Sequence, residues 1–150
     1  MLKLKITKMV NYWYFKIRAN NDSEEFEREL EYVKDTNSIG IGYDLQIEYK
    51  PSEVEERRNH WLSNNISNNQ IKKRESYFQT FTQKMKKGDI VFLCQGENKI
   101  LYICELADNE YYYLDNEPFY FRHRRRITNI KPFECAVPTK KALRQTIHYV

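Results

Sequence analysis

The side chains best suited to a flat or charged ligand are aromatics and cations placed next to each other. The chain holds 12 Tyr, 8 Phe and 2 Trp in 150 residues, interleaved with Arg and Lys at Tyr12 to Arg18 and at Tyr111 to Arg126. Aromatic faces beside cations suit stacking on bases with neutralisation of phosphates, although a small barrel also uses aromatics in its core and in cross-strand pairs. The net charge is only +4, but the charges are segregated. Lys3, Lys5, Lys8, Lys16 and Arg18 precede a run of six acids, Asp22, Glu24, Glu25, Glu27, Glu29 and Glu31. Basic character returns at Lys72-Lys73-Arg74, at Lys84, Lys86 and Lys87, and most densely at Arg122-His123-Arg124-Arg125-Arg126. A local basic face of this kind attracts phosphates despite a modest net charge.

Other chemistries find little support. His60, His123 and His148 have no recognisable partner pattern and no G-x-S-x-G element is present, so no catalytic residues are assigned. The close glycine pair Gly40 and Gly42 lacks the third glycine and following helix of a dinucleotide site, so no nucleotide cofactor is expected. Cys94, Cys104 and Cys135 form no C-x-x-C pair and have no histidine at zinc spacing, which fits no metal and a reducing, cytoplasmic setting. Cys94 and Cys104 fall in apolar runs, where a free cysteine acts as a small hydrophobe. The N-terminus alternates instead of forming a signal sequence, and no stretch nears the roughly 18 apolar residues of a membrane span. From the residues alone, a nucleic-acid binder, a protein-interaction module and an enzyme all remain open.

The elements that must position these groups follow from periodicity. Asn11 to Arg18 alternates as a strand, with Trp13, Phe15 and Ile17 on one side and Tyr12, Tyr14, Lys16 and Arg18 on the other. Asp22 and Glu25 have the form of a capping box before a helix carrying Phe26, Leu30 and Val33, whose carboxylates read as a solvated face. Ser38 to Asp44 reads as a short strand whose glycines allow close approach to the backbone. A Ser-capped helix over 52–64, an Asn-rich break over 63–70 and a helix over 74–85 stopped by Gly88 come next. Asp89 to Gln95, Lys99 to Ala107, Glu110 to Leu114, Phe119 to Thr128 and Arg144 to Tyr149 then read as an antiparallel meander. The expected architecture is a single α+β domain over 1–150, a curled antiparallel barrel with helices packed outside it.

Several segments, in order, resemble an EVE-like domain of the PUA-like superfold, related to YTH domains. They are Tyr12 to Ile17, Ile39 to Asp44, Met85 to Val91, Lys99 to Leu106, Tyr111 to Tyr113 and His123 to Ile127, with Leu143 to Tyr149 as an exit strand. The resemblance is closest to the version that precedes the AAA+ GTPase of McrB-type modification-dependent restriction systems. It implies a PUA-like barrel, the N-terminal segment of a longer protein, that binds a flipped, modified base of double-stranded DNA without catalysis of its own. The implied partners are a C-terminal AAA+ GTPase domain and a separate nuclease subunit; an RNA-binding module and a protein adaptor are the alternatives.

By the same resemblance, Lys16 and Arg18 stand at the mouth of a base pocket and Tyr43 takes the place of the family's usual tryptophan wall. Asp44 faces the base edge; an ionised carboxylate only accepts hydrogen bonds, which suits the exocyclic amine of cytosine or adenine. Trp61, Tyr112 and Tyr113 are candidates for the second wall. Lys86, Lys87, Arg122, His123, Arg124 and Arg126 are expected to track the flanking phosphates.

Overall fold

The computed structural model describes residues 9–17, 23–43, 45, 47–115, 121–137 and 147–149. Its strands are β1 (Tyr12–Lys16), β2 (Ser38–Ile41), β3 (Ile90–Gln95), β4 (Lys99–Tyr113), β5 (His123–Ala136) and β6 (Ile147–Tyr149). Its α-helices are α1 (Ser23–Thr36), α2 (Val54–Ser63) and α3 (Asn68–Gln79), the last running into a π-helical turn at Thr80–Lys84. The strands form one curled mixed sheet in the order β2-β5-β4-β3-β1-β6. All pairs are antiparallel except β1 with β3, where Phe15 lies beside Leu93 in parallel register. No helix among the described residues is long and apolar enough to cross a membrane.

Several expectations shift by a few residues, each for a physical reason. Trp13 to Lys16 of β1 and Ile17 just after it are all buried, so both faces of the strand are covered and Lys16 does not look outward. Helix α3 begins at Asn68, inside the Asn-rich stretch, because the Ser67 hydroxyl accepts from the backbone N–H of Gln70 as an N-cap. No side chain caps α2, where a serine cap was expected. The expected strands Lys99 to Ala107 and Glu110 to Leu114 are one strand. Asp108-Asn109 is a bulge, marked by the register jump between Leu106 and Tyr111 opposite Ile127 and Arg125. Asp22, the first half of the expected capping box, lies outside the described residues.

The largest departure concerns charge. His123, Arg124 and Arg125 are fully buried at the start of β5, and successive side chains of a strand point to opposite faces. Arg124 reaches towards α1. Its guanidinium donates to Glu29 Oε1 at 2.6 Å, to the Ser38 carbonyl at 2.8 Å and to the Ser38 hydroxyl at 2.9 Å, and lies over the Tyr32 ring. Glu29 is therefore no part of the solvated acidic face; it is buried as the counter-ion of Arg124. Gly40 pairs with Arg124 across the β2–β5 ladder, and a Cβ there would collide with the guanidinium. The close approach that glycine permits is used within the fold.

Arg125 points the other way and donates to the carbonyls of Phe81 at 2.7 Å, Met85 at 2.9 Å and Asp108 at 2.9 Å. The π-helical turn makes the first of these available. The Met85 N–H bonds the Thr80 carbonyl, five residues back, instead of that of Phe81. The Asp108 carbonyl is offered by the bulge in β4. Cys94 and Cys104 are buried as expected, and burial raises both thiols to about 12, which keeps them protonated.

Removing one member of a buried pair strands the other charge, at a cost of about 3–5 kcal/mol. Glu29→Ala is expected to lose stability on that scale in urea denaturation, and Gly40→Ala about 1–3 kcal/mol through overpacking against Arg124. A Gly40→Ala midpoint equal to that of the parent would show that the guanidinium does not need this gap.

Candidate functional site

Tyr43 follows β2 in a turn closed by the Leu45 N–H donating to the Gly42 carbonyl at 3.0 Å. Its φ is +51°, a left-handed conformation uncommon for a bulky residue. Such a conformation persists where its surroundings over-determine it. Here the Tyr43 carbonyl accepts from Trp61 Nε1 at 2.8 Å and from the Arg74 guanidinium at 3.3 Å. The half-buried Tyr43 ring lies nearly parallel to that of Tyr77, with centroids 5.9 Å apart and planes 20° apart.

The far side of the turn is held by β5. His123 Nε2 lies 2.6 Å from the Leu45 carbonyl, and its Nδ1 lies 2.6 Å from the Tyr111 hydroxyl. A carbonyl only accepts, so Nε2 carries the proton and Nδ1 accepts from Tyr111, which is the neutral tautomer. Burial lowers the His123 pKa to about 4, helped by the nearby charges of Arg57 and Arg122 and opposed by the Leu45 hydrogen bond. Burial also raises the Tyr111 hydroxyl, keeping it a donor. Beneath this cluster, Arg57 is fully buried and forked onto Glu75, with contacts of 2.8 and 2.6 Å, and it lies 4.2 Å above the Phe78 ring. Arg57 thereby ties α2 to α3.

Two clefts open on the α2–α3 side. One, of about 310 Å³, is lined by Val54, Glu55, Arg58, Ile71 and Lys72 among others. The second, of about 520 Å³, is lined by Asn69, Lys72, Lys73, Ser76 and Tyr77. Among the described residues no group of three or more His, Cys, Asp or Glu side chains could hold a metal ion.

The expected site residues divide accordingly. Arg18 and Asp44 lie outside the described residues. Tyr43 is partly accessible. Trp61 is fully buried and offers no open face to a base; it supports the Tyr43 backbone from behind. Tyr112 lies under Arg126, 4.4 Å from the guanidinium, and Tyr113 packs on His123 at 5.1 Å. Lys16 is buried in β1.

The phosphate expectation is corrected in part. His123 and Arg124 are interior and cannot meet a phosphate. Arg126 is exposed, with Asp108 at 3.5 Å and Glu110 at 3.8 Å as neighbours. Arg122 is half-buried, and Lys86 and Lys87 are exposed on the turn before β3. Tyr77, Lys72 and Lys73 were not expected at the site. Their signal in the sequence is the basic triplet Lys72-Lys73-Arg74 with Tyr77 one helical turn later, and a helix expected only from residue 74 leaves the two lysines outside it.

The depressed His123 pKa has a signed consequence. The unfolded chain takes up the imidazole proton near pH 6.5 and the folded protein only near 4. The unfolded state therefore binds more protons across that window, and stability falls as pH drops through it. His123→Gln is expected to flatten this part of the stability profile, measured by urea unfolding at several pH values. An unchanged slope would exclude His123 as its source.

A family model for a domain of unknown function, DUF8426, matches residues 13–142. Comparison with curated proteins gave no match. With the matched span running from β1 past the end of β5, the chain belongs to the DUF8426 family.

Proposed function

We propose that this domain is a reader of modified DNA. In this reading it is an EVE-like domain on a PUA-like barrel that receives a base swung out of the duplex and directs a McrB-type restriction complex to the modified site. The curled sheet with helices against it is compatible with that fold. The observation that carries the reading is the geometry at Tyr43. A strained aromatic residue at the end of β2 is fixed through its carbonyl by Trp61 and Arg74 and stacked on Tyr77 beside a cleft with two lysines. A preformed aromatic surface beside cations suits a base with its phosphate.

The energetics are consistent with that use. Extruding a base costs a few kcal/mol, and stacking returns roughly 1–3 kcal/mol per base. One buried methyl adds only about 0.8 kcal/mol, so strong selection for a modification needs a polar group that penalises the plain base. Asp44, next to Tyr43 in sequence, is the proposed reader of the base edge: its carboxylate accepts from the exocyclic amine of cytosine or adenine and so selects the base, in its plain or 5-modified form alike.

Anisotropy titrations with short duplexes carrying 5-methylcytosine, 5-hydroxymethylcytosine, N6-methyladenine or no modification test the reading. A preference for one modified duplex is expected, and Tyr43→Ala should weaken it by roughly 5- to 150-fold, the equivalent of one lost stack. Tyr43→Phe should retain it. Equal affinity for plain and modified duplexes would overturn the reading, and tighter binding to RNA of the same sequence would transfer the site to the RNA-binding alternative.

A further inference from the structure

The basic run expected to hold phosphates is largely internal, which leaves the question of what neutralises the backbone around a base at Tyr43. Helix α3 offers an answer. Asn69, Lys72, Lys73, Ser76 and Tyr77 fall at helical spacings of three, four, seven and eight residues, so they share one face. Ile71 and Phe78 are buried, holding the helix against the core. The stripe lines the cleft of about 520 Å³ and ends on Tyr77, the ring stacked on Tyr43. Asn69 to Tyr77 spans roughly 12 Å of helix, the length over which one strand of duplex DNA presents three or four phosphates.

The charge state of this face supports a ligand of opposite sign. Lys72 and Lys73 are exposed and make no ion pair among the described residues. The single acid of α3, Glu75, gives both carboxylate oxygens to buried Arg57 and so does not compete for them. Asn69 and Ser76 add neutral donors on either side. By contrast, exposed Arg126 already has Asp108 and Glu110 beside it.

We infer that the outward stripe of α3, with Lys72 and Lys73 at its centre, binds the phosphate backbone of the strand whose base stands at Tyr43. The inference rests on the proposed DNA-reading function and assigns the flanking contacts to α3 instead of β5. Phosphate contacts position the duplex and carry no sequence information, so they contribute equally to modified and plain DNA.

The test is a salt titration of the full 150-residue chain against a modified and a plain duplex. The double variant Lys72→Ala/Lys73→Ala is expected to weaken both duplexes by the same factor and preserve the ratio between them. The slope of log affinity against log salt should fall by nearly 2, at about 0.9 per phosphate contact. Lys131→Ala, exposed on β5, should leave that slope in place.

An unchanged slope in the Lys72/Lys73 variant, with modification preference intact, overturns the inference while the reading stands. A loss confined to the modified duplex also overturns it, since a phosphate contact acts on both. A parent that binds plain and modified DNA alike but loses salt dependence in the α3 variant keeps the phosphate site and removes the modified-base reading. No binding of the parent to either duplex removes both.

Discussion

The burial of three polar side chains in succession at the start of β5 is the constraint around which the rest of the fold is arranged. Each needs partners inside the fold, because an unpaired buried polar or charged group is far more costly than an unpaired surface one, and among them Arg125 Nε alone is left without a hydrogen bond. Arg124 requires a carboxylate from α1, both oxygens of Ser38 and the missing side chain of Gly40. Arg125 requires a helix that ends in a π turn and a strand that bulges at Asp108. His123 requires the Tyr111 hydroxyl and the Leu45 carbonyl. A one-residue slip of β5 would exchange the faces of all three at once. The network therefore fixes register as well as holding charge.

That arrangement also links the fold to the turn at Tyr43. The turn is held from β5 through His123, from α2 through Trp61 and from α3 through Arg74 and Tyr77. A loop residue held from three elements keeps its orientation without a ligand, so little ordering entropy remains to be lost on binding. The left-handed backbone at Tyr43 fits this picture: the turn closed by Leu45 N–H needs it, and the contacts from α2 and α3 hold it although a bulky side chain disfavours it.

Most of the secondary structure was legible because it rests on local periodicity. Phe26, Leu30 and Val33 recur at helical spacing and are buried as that spacing implies. Charge was the misleading signal. A run such as Arg122 to Arg126 looks like a surface patch because partners such as Glu29 and Phe81 lie far away in sequence. Glu29, three residues after Phe26 and four before Val33, falls beside the apolar stripe of α1, but nothing near it in sequence points to Arg124 as its partner. Gly40 was correctly read as a place of close approach, but the approaching group was internal. The α3 face escaped notice because Ser67 caps a helix that begins within a polar, asparagine-rich stretch.

The place of β1 in the sheet has a consequence for how the chain reaches this structure. Phe15 pairs with Leu93 on one side and with Ile147 on the other, so β1, the first strand among the described residues, finds both neighbours only after long stretches of later chain are present. Non-local pairing of this kind is slow, since loop closure must precede any gain from contacts. During synthesis, Tyr12-Trp13-Tyr14-Phe15 is an aromatic segment with open backbone groups along both edges, a template for pairing with other chains. Lys16, which the finished fold buries, places a cation on that segment while it waits, where charge opposes such association.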